Sequence, residues 1–183
     1  MKNPIKGTVA YVATAALLNF AQHANPNMLS RGKDAKRIKR YISAGADVTA
    51  TNDDGETAAH IFARRGSFIG LHTIVVAAGN VRIVSQPDKD GMTPLLRLAE
   101  ANNTGVDQYL QFRTEEYLNQ RDNQGRTIAY LFAENGNYDK VIELAERCPD
   151  VKQQCIIFAV QNSKKLTPTE KMDALEALRY AGF

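Results

Sequence analysis

Three histidines, two cysteines and one Asp-x-Asp-Gly segment are the places where this 183-residue chain could carry catalysis or a metal ion. His72 falls within a helical pattern and His23 precedes a loop, and neither has a nucleophile in a recognisable elbow nearby in sequence. Cys148 and Cys155, separated by six residues, make a poor zinc set with so few histidines, and two thiols cannot build a disulfide framework. They read as reduced thiols of a cytosolic protein. The segment "DKDG" at Asp88–Gly91 begins like a calcium loop but lacks the remaining ligands. No carboxylate pair stands out, so no catalytic residue, metal or cofactor is expected.

Charge offers a different chemistry. The net charge of +3 is unevenly spread: residues 1–52 hold eight Lys/Arg against two acids, and the rest holds fifteen against eighteen. The run "RGKDAKRIKR", Arg31–Arg40, has six basic residues and one acid. Such a cluster could contact nucleic acid or an anionic membrane through phosphates. On a helix with Ala35, Ile38, Tyr41 and Ile42 inward, Lys36, Arg37, Lys39 and Arg40 become an outer face whose charge serves solubility. No aromatic side chains are interleaved to stack bases.

The elements that would carry these residues follow from periodicity. Thr8–Ala21, "TVAYVATAALLNFA", is apolar but shorter than the roughly 20 residues of a membrane span. It follows Lys2 and Lys6 and could pass for a signal-peptide core. Val9, Ala13, Ala16, Leu17 and Phe20 at helical spacing favour a retained helix instead.

A search for self-similarity explains the remainder. "NDDGETAAHIFARRG" from Asn52, "DKDGMTPLLRLAEAN" from Asp88 and "DNQGRTIAYLFAENG" from Asp122 align without gaps. Their glycines, Gly55, Gly91 and Gly125, are 36 and 34 residues apart, and each precedes Thr57, Thr93 or Thr127 by two positions. Gly supplies the positive φ of a tight turn, and the Thr can cap the amides that open a helix. After each block comes a second helical pattern: "FIGLHTIVVAAG", "DQYLQFRTEEYL" and "YDKVIELAERC". Ala63, Ala99 and Ala133 let neighbouring inner helices approach, while Ile61, Leu95, Leu98 and Leu131 supply apolar surface. No unit buries that face alone, so the units must stack.

These blocks, with "AGADVTA" at Ala44–Ala50, "DGETAAH" at Asp54–His60 and "DGMTPLL" at Asp90–Leu96, resemble the ankyrin-repeat family. There are departures: Leu96 and Tyr130 stand at the family's helix-start His, Asn102 replaces a usual Gly, and Phe62, Leu98 and Phe132 replace a common Ala. The resemblance implies an all-α, ankyrin-type solenoid of about five stacked helix-turn-helix repeats with short hairpin loops and essentially no sheet. One domain would span 1–183, with an N-terminal capping repeat at 1–51, repeats at 52–87, 88–121 and 122–154, and a C-terminal capping helix pair at 155–183. In that last pair "CIIFAVQN" forms the first helix and "TEKMDALEALRYAGF" the second, with Met172, Leu175, Leu178 and Tyr180 inward.

The resemblance also implies function: a non-catalytic module that binds another protein, as a monomer, through its concave surface of hairpin tips and inner helices. His60 would hydrogen-bond a neighbouring turn. The positions that correspond to the partner-binding surface are Asp53, Asp54, Glu56, Arg64 and Arg65; then Lys89, Asp90, Met92, Glu100 and Ala101; then Asn123, Gln124, Arg126, Glu134 and Asn135. The alternative is a phosphate-binding surface at Lys36, Arg37, Lys39 and Arg40, or the recognition domain of a longer effector whose activity lies elsewhere. A cytoplasmic location is expected. Short divergent chains of this kind also resemble effectors that bacteria deliver into a host cytosol.

Overall fold

The computed structural model describes residues 8–24, 33–147, 157, 160–161 and 166–180. Cys148, Cys155 and Leu178 as a packing residue lie outside that description, as does most of the expected helix "CIIFAVQN". Helices alternate along the chain: α1 (Val9–His23), α2 (Lys33–Ser43), α3 (Ala58–Arg64), α4 (Phe68–Ala78), α5 (Pro94–Glu100), α6 (Asp107–Leu118), α7 (Ile128–Glu134), α8 (Tyr138–Arg147) and α9 (Pro168–Tyr180). Short 3₁₀ turns, Val81–Ser85 and Thr104–Val106, precede the second turn tip and α6. Among the described residues there is no strand, only an isolated bridge between Thr51 and Thr57.

α3 packs against α1, α4 and α5, and α5 packs against α7, so α1, α3, α5 and α7 form an inner row. α2 lies on α4, and Phe68 of α4 meets Tyr109 of α6 with ring centroids 6.0 Å apart, which makes the outer row. This is an all-α ankyrin-type solenoid. Its core runs along the stack through Ile61, Phe62, Ala63, Leu95, Leu98, Ala99, Leu131, Phe132 and Ala133, each at most 1% exposed.

Local chemistry sets each inner helix. Thr57, Thr93 and Thr127 accept hydrogen bonds from the amides of His60, Leu96 and Tyr130 at 3.4, 3.2 and 3.2 Å, so each is the expected N-cap. Pro94 occupies the first turn of α5, where its missing N–H costs nothing. The inner helices end on Gly66, Asn102 and Gly136 at φ 70°, 54° and 71°; Asn102 takes the left-handed conformation in place of the usual Gly. The bulky Phe62 is accommodated by a small partner in the outer helix. A Cβ on Gly70 would lie 2.5 Å from the Phe62 ring, so the Phe and Gly fit as a pair.

Two helix faces differ from expectation. In α1 the buried residues are Ala13, Thr14, Leu17 and Ala21, whereas Val9 is 74% exposed. Thr14 turns inward because its hydroxyl donates to Ala10 O at 2.8 Å and accepts the Asp47 amide at 2.8 Å, tying α1 to the turn after α2. In α9 Ala174 and Leu175 face the core, while Met172 and Tyr180 are 71% and 85% exposed. Leu175 keeps the expected inward position, and Ala174 beside it is buried in place of Met172.

Candidate partner-binding face

Three turn tips stack beside the inner helices, and each is built on a buried or half-buried Asx residue. Asn52 Oδ1 accepts the amides of Asp54 and Glu56 at 3.0 and 2.8 Å. Asp88 Oδ1 accepts those of Asp90 and Met92 at 2.9 and 3.0 Å, and Asp122 Oδ1 those of Gln124 and Arg126 at 2.9 and 2.8 Å. Asp88 is thereby committed to its own turn, with its Oδ2 held by Arg97. Among the described residues no group of three metal-ligating side chains converges.

The tips also bind one another. Asn123 donates through its amide to Asp90 O and through Nδ2 to Lys89 O, both at 3.0 Å, and the Lys89 ammonium donates to Asp53 O. Gly55 and Gly91 serve two needs at once: φ of 79° and 76°, and room for Lys89 and Asn123 of the next tip.

Arginines fasten the tips to the helices. Arg64 Nε meets Glu56 at 2.7 Å, Arg126 Nε meets Asp122 at 2.6 Å, and Arg97 contacts Asp88 at 2.7 Å and both Asp90 and Glu100 at 3.2 Å. Arg126 also lies 3.9 Å from Glu100 and from Glu134, which links the second and third units. Between the first two tips a groove of about 320 Å³ is lined by Asp54, Glu56, Arg64, Lys89, Asp90 and Arg97.

The expected contact positions therefore divide. Asp53, Asp54, Lys89, Asp90, Ala101, Asn123 and Gln124 are exposed on the tips and helix ends, with Arg64 exposed beside them. Glu100, Arg126, Glu134 and Asn135 are half-buried, the last donating to Glu100 O and Leu131 O. Glu56 and Met92 do not lie on the surface: they are 4% and 0% exposed. Glu56 is drawn under by Asn52 Nδ2 and Arg64, and Met92 lies beneath Arg126, whose Nη2 is 3.7 Å from its sulfur. Arg65 points the other way and donates to Gln22 O and Ala24 O at 2.5 and 2.7 Å, closing the C-terminal end of α1.

Arg97 was not among the expected positions. It occupies the site held by Ile61 and Leu131 in the sister units, and a lone cation in an apolar column was the available signal.

His60, fully buried, accepts from the Thr57 amide at Nδ1 (3.1 Å) and so donates from Nε2 to Gln86 O (2.8 Å). The imidazole is neutral and structural, joining Thr57 to Gln86 as the resemblance implies. Where Leu96 replaces it, Gln120 takes over: its Oε1 accepts from Thr93 Oγ1 at 3.0 Å and its Nε2 donates to Ser85 Oγ at 2.9 Å. Burial lowers the His60 pKa from its ordinary 6.5, against the opposing pull of Asp88, the Gln86 carbonyl and Glu56. The unfolded chain therefore binds this proton at higher pH than the folded one. The stabilisation from neutral His60 is complete above about pH 6.5 and is lost as pH falls through the lowered value. Denaturant titrations between about pH 7 and pH 5 should show stability falling in the native chain and a shallower fall in His60→Asn; equal slopes would contradict this assignment.

The basic run resolves into unequal parts. Arg37 lies 4.8 Å above the Phe20 ring and donates to Tyr41 Oη at 2.8 Å, so it secures α2 to α1. Lys36, Lys39 and Arg40 stand exposed on the outer face. No described helix is long and apolar enough to cross a membrane.

Residues 28–85 match the family model for ankyrin repeats (many copies). The match takes in α2, α3 and α4, and the same turn, inner helix and outer helix recur through α8. Residues 28–85 thus carry ankyrin repeats, set in an all-α solenoid of the ankyrin type. No curated protein matches it. Ankyrin repeats are in general protein–protein interaction modules on a non-enzymatic fold.

Proposed function

We propose that this chain is a non-catalytic binding module that holds a partner protein across its stacked turn tips and the adjoining edges of α3, α5 and α7. The observation that supports this reading is the groove between the first two tips, at whose rim the carboxylates of Asp54 and Asp90 face solvent. Asp53, Asp54 and Asp90 are exposed on this face, the Asp90 side chain by 77%. The cations nearby are largely spent on internal carboxylates, Arg97 and Arg126 being only 13% and 19% exposed. The face is therefore net acidic where it meets solvent, and the fitting partner presents basic side chains. The encounter would take place in a cytosol, the chain's own or that of a host.

The test is affinity capture of the partner followed by titration of the purified pair. Reversing Asp53, Asp54 and Asp90 to Lys should weaken binding at least about tenfold, unequally among the three, because interface energy concentrates in few contacts. Neutralising Lys36, Lys39 and Arg40 should leave affinity within about twofold, since α2 is remote from the groove. Salt-sensitive loss from the α2 variant with an indifferent tip variant would replace this reading by a phosphate-binding one.

A further inference from the structure

The outer row carries a pattern that the turn-tip face does not use. α4 has no Asp, Glu, Lys or Arg, yet it lies on the outside of the solenoid, with Ile69 41% and Val76 57% exposed. Those two residues are seven apart, roughly 10.5 Å along one face of the helix, with exposed His72 between them. On one side α2 exposes Lys33, Lys36, Lys39 and Arg40; on the other, α6 exposes Gln108, Gln111 and Glu115. The face thus runs from the cations of α2 through the apolar strip of α4 to the amides and the Glu115 carboxylate of α6. Arg40 and Glu115 have no ion-pair partner among the described residues.

A surface graded in this order complements itself under one particular rotation. We propose that the outer face is a homodimer interface in which a two-fold axis runs alongside α4, parallel to the helices. That axis sets α4 against α4 of the second copy, Ile69 on Ile69 and Val76 on Val76, the β-branched heptad spacing that suits a parallel pair. It sets α2 of each copy against α6 of the other, so the cations of α2 face the Glu115 carboxylate rather than one another. The repeat makes outer helices run in one direction, and Arg40 and Glu115 both stand in the last turns of theirs, so the axis brings them to one height. A two-fold across the helices would instead place α2 on α2, where like charges repel. The turn tips stay free in the dimer, which would present two partner faces.

Sedimentation equilibrium of the full chain across about 1–100 µM tests the proposal. The chain is expected to shift from the mass of one copy to that of two. Ile69→Ser with Val76→Ser should raise the dimer dissociation constant at least about tenfold; both sites are exposed, and circular dichroism checks that the fold persists. Arg40→Glu and Glu115→Arg should each weaken the dimer, and the two together should restore it. A chain that stays monomeric throughout overturns the proposal, as does a dimer indifferent to the α4 variant. Strengthening by Arg40→Glu overturns the proposed axis. Binding to phosphatidylserine vesicles without self-association overturns the choice of a second copy.

Discussion

Leu98→Ala is expected to destabilise the fold by about 2–5 kcal/mol, the range for emptying a close-packed core site. Leu98 is fully buried on α5, the inner helix that contacts both α3 and α7. A cavity there loosens stacking on both sides, and a solenoid has no other source of long-range cohesion. Denaturant titration should show a lower midpoint. A loss below about 0.5 kcal/mol, the size usual for surface changes, would mean that the repeat register is wrong.

The second large effect concerns a polar residue. Asp88→Ala is expected to cost about 3 kcal/mol, because it removes the acceptor for the buried Met92 amide and the principal partner of Arg97 in one step. The Asp88 side chain is 1% exposed, and Arg97 retains only Glu100 and the outward-facing Asp90. Asp90→Ala, two residues away in the same turn, should change stability by no more than about 0.5 kcal/mol, since its carboxylate stands in water. Similar small losses in both variants would show that the turn does not depend on its buried acid.

Much of this was legible in the sequence because it is local. Gly55, Gly91 and Gly125 need a positive φ wherever the turn is placed, and Thr57, Thr93 and Thr127 cap the helix immediately after it, so three aligned blocks were enough to give the inner helices and their core side. The candidate face was harder to read. Glu56, Met92 and Arg126 follow the turn glycines as three unlike residues, which looks like surface variation. Their burial depends on which neighbour reaches over them: Arg64 over Glu56, Arg126 over Met92. Arg97 was visible as an oddity beside Ile61 and Leu131, but its three carboxylates assemble only once the turn has folded back onto α5. Thr14 misled for a similar reason. The Asp47 amide it serves is 33 residues away, and no helical periodicity reports it.

Hydrogen exchange of the captured complex reads the binding face without any substitution. Partner binding should slow exchange at the stacked tips, around Asn52–Gly55, Asp88–Gly91 and Asp122–Gly125, and leave the outer surfaces of α2, α4 and α6 unchanged. Protection confined to those outer helices, with the three tips exchanging as in the free chain, would contradict the assignment of the turn-tip groove as the surface that holds the partner.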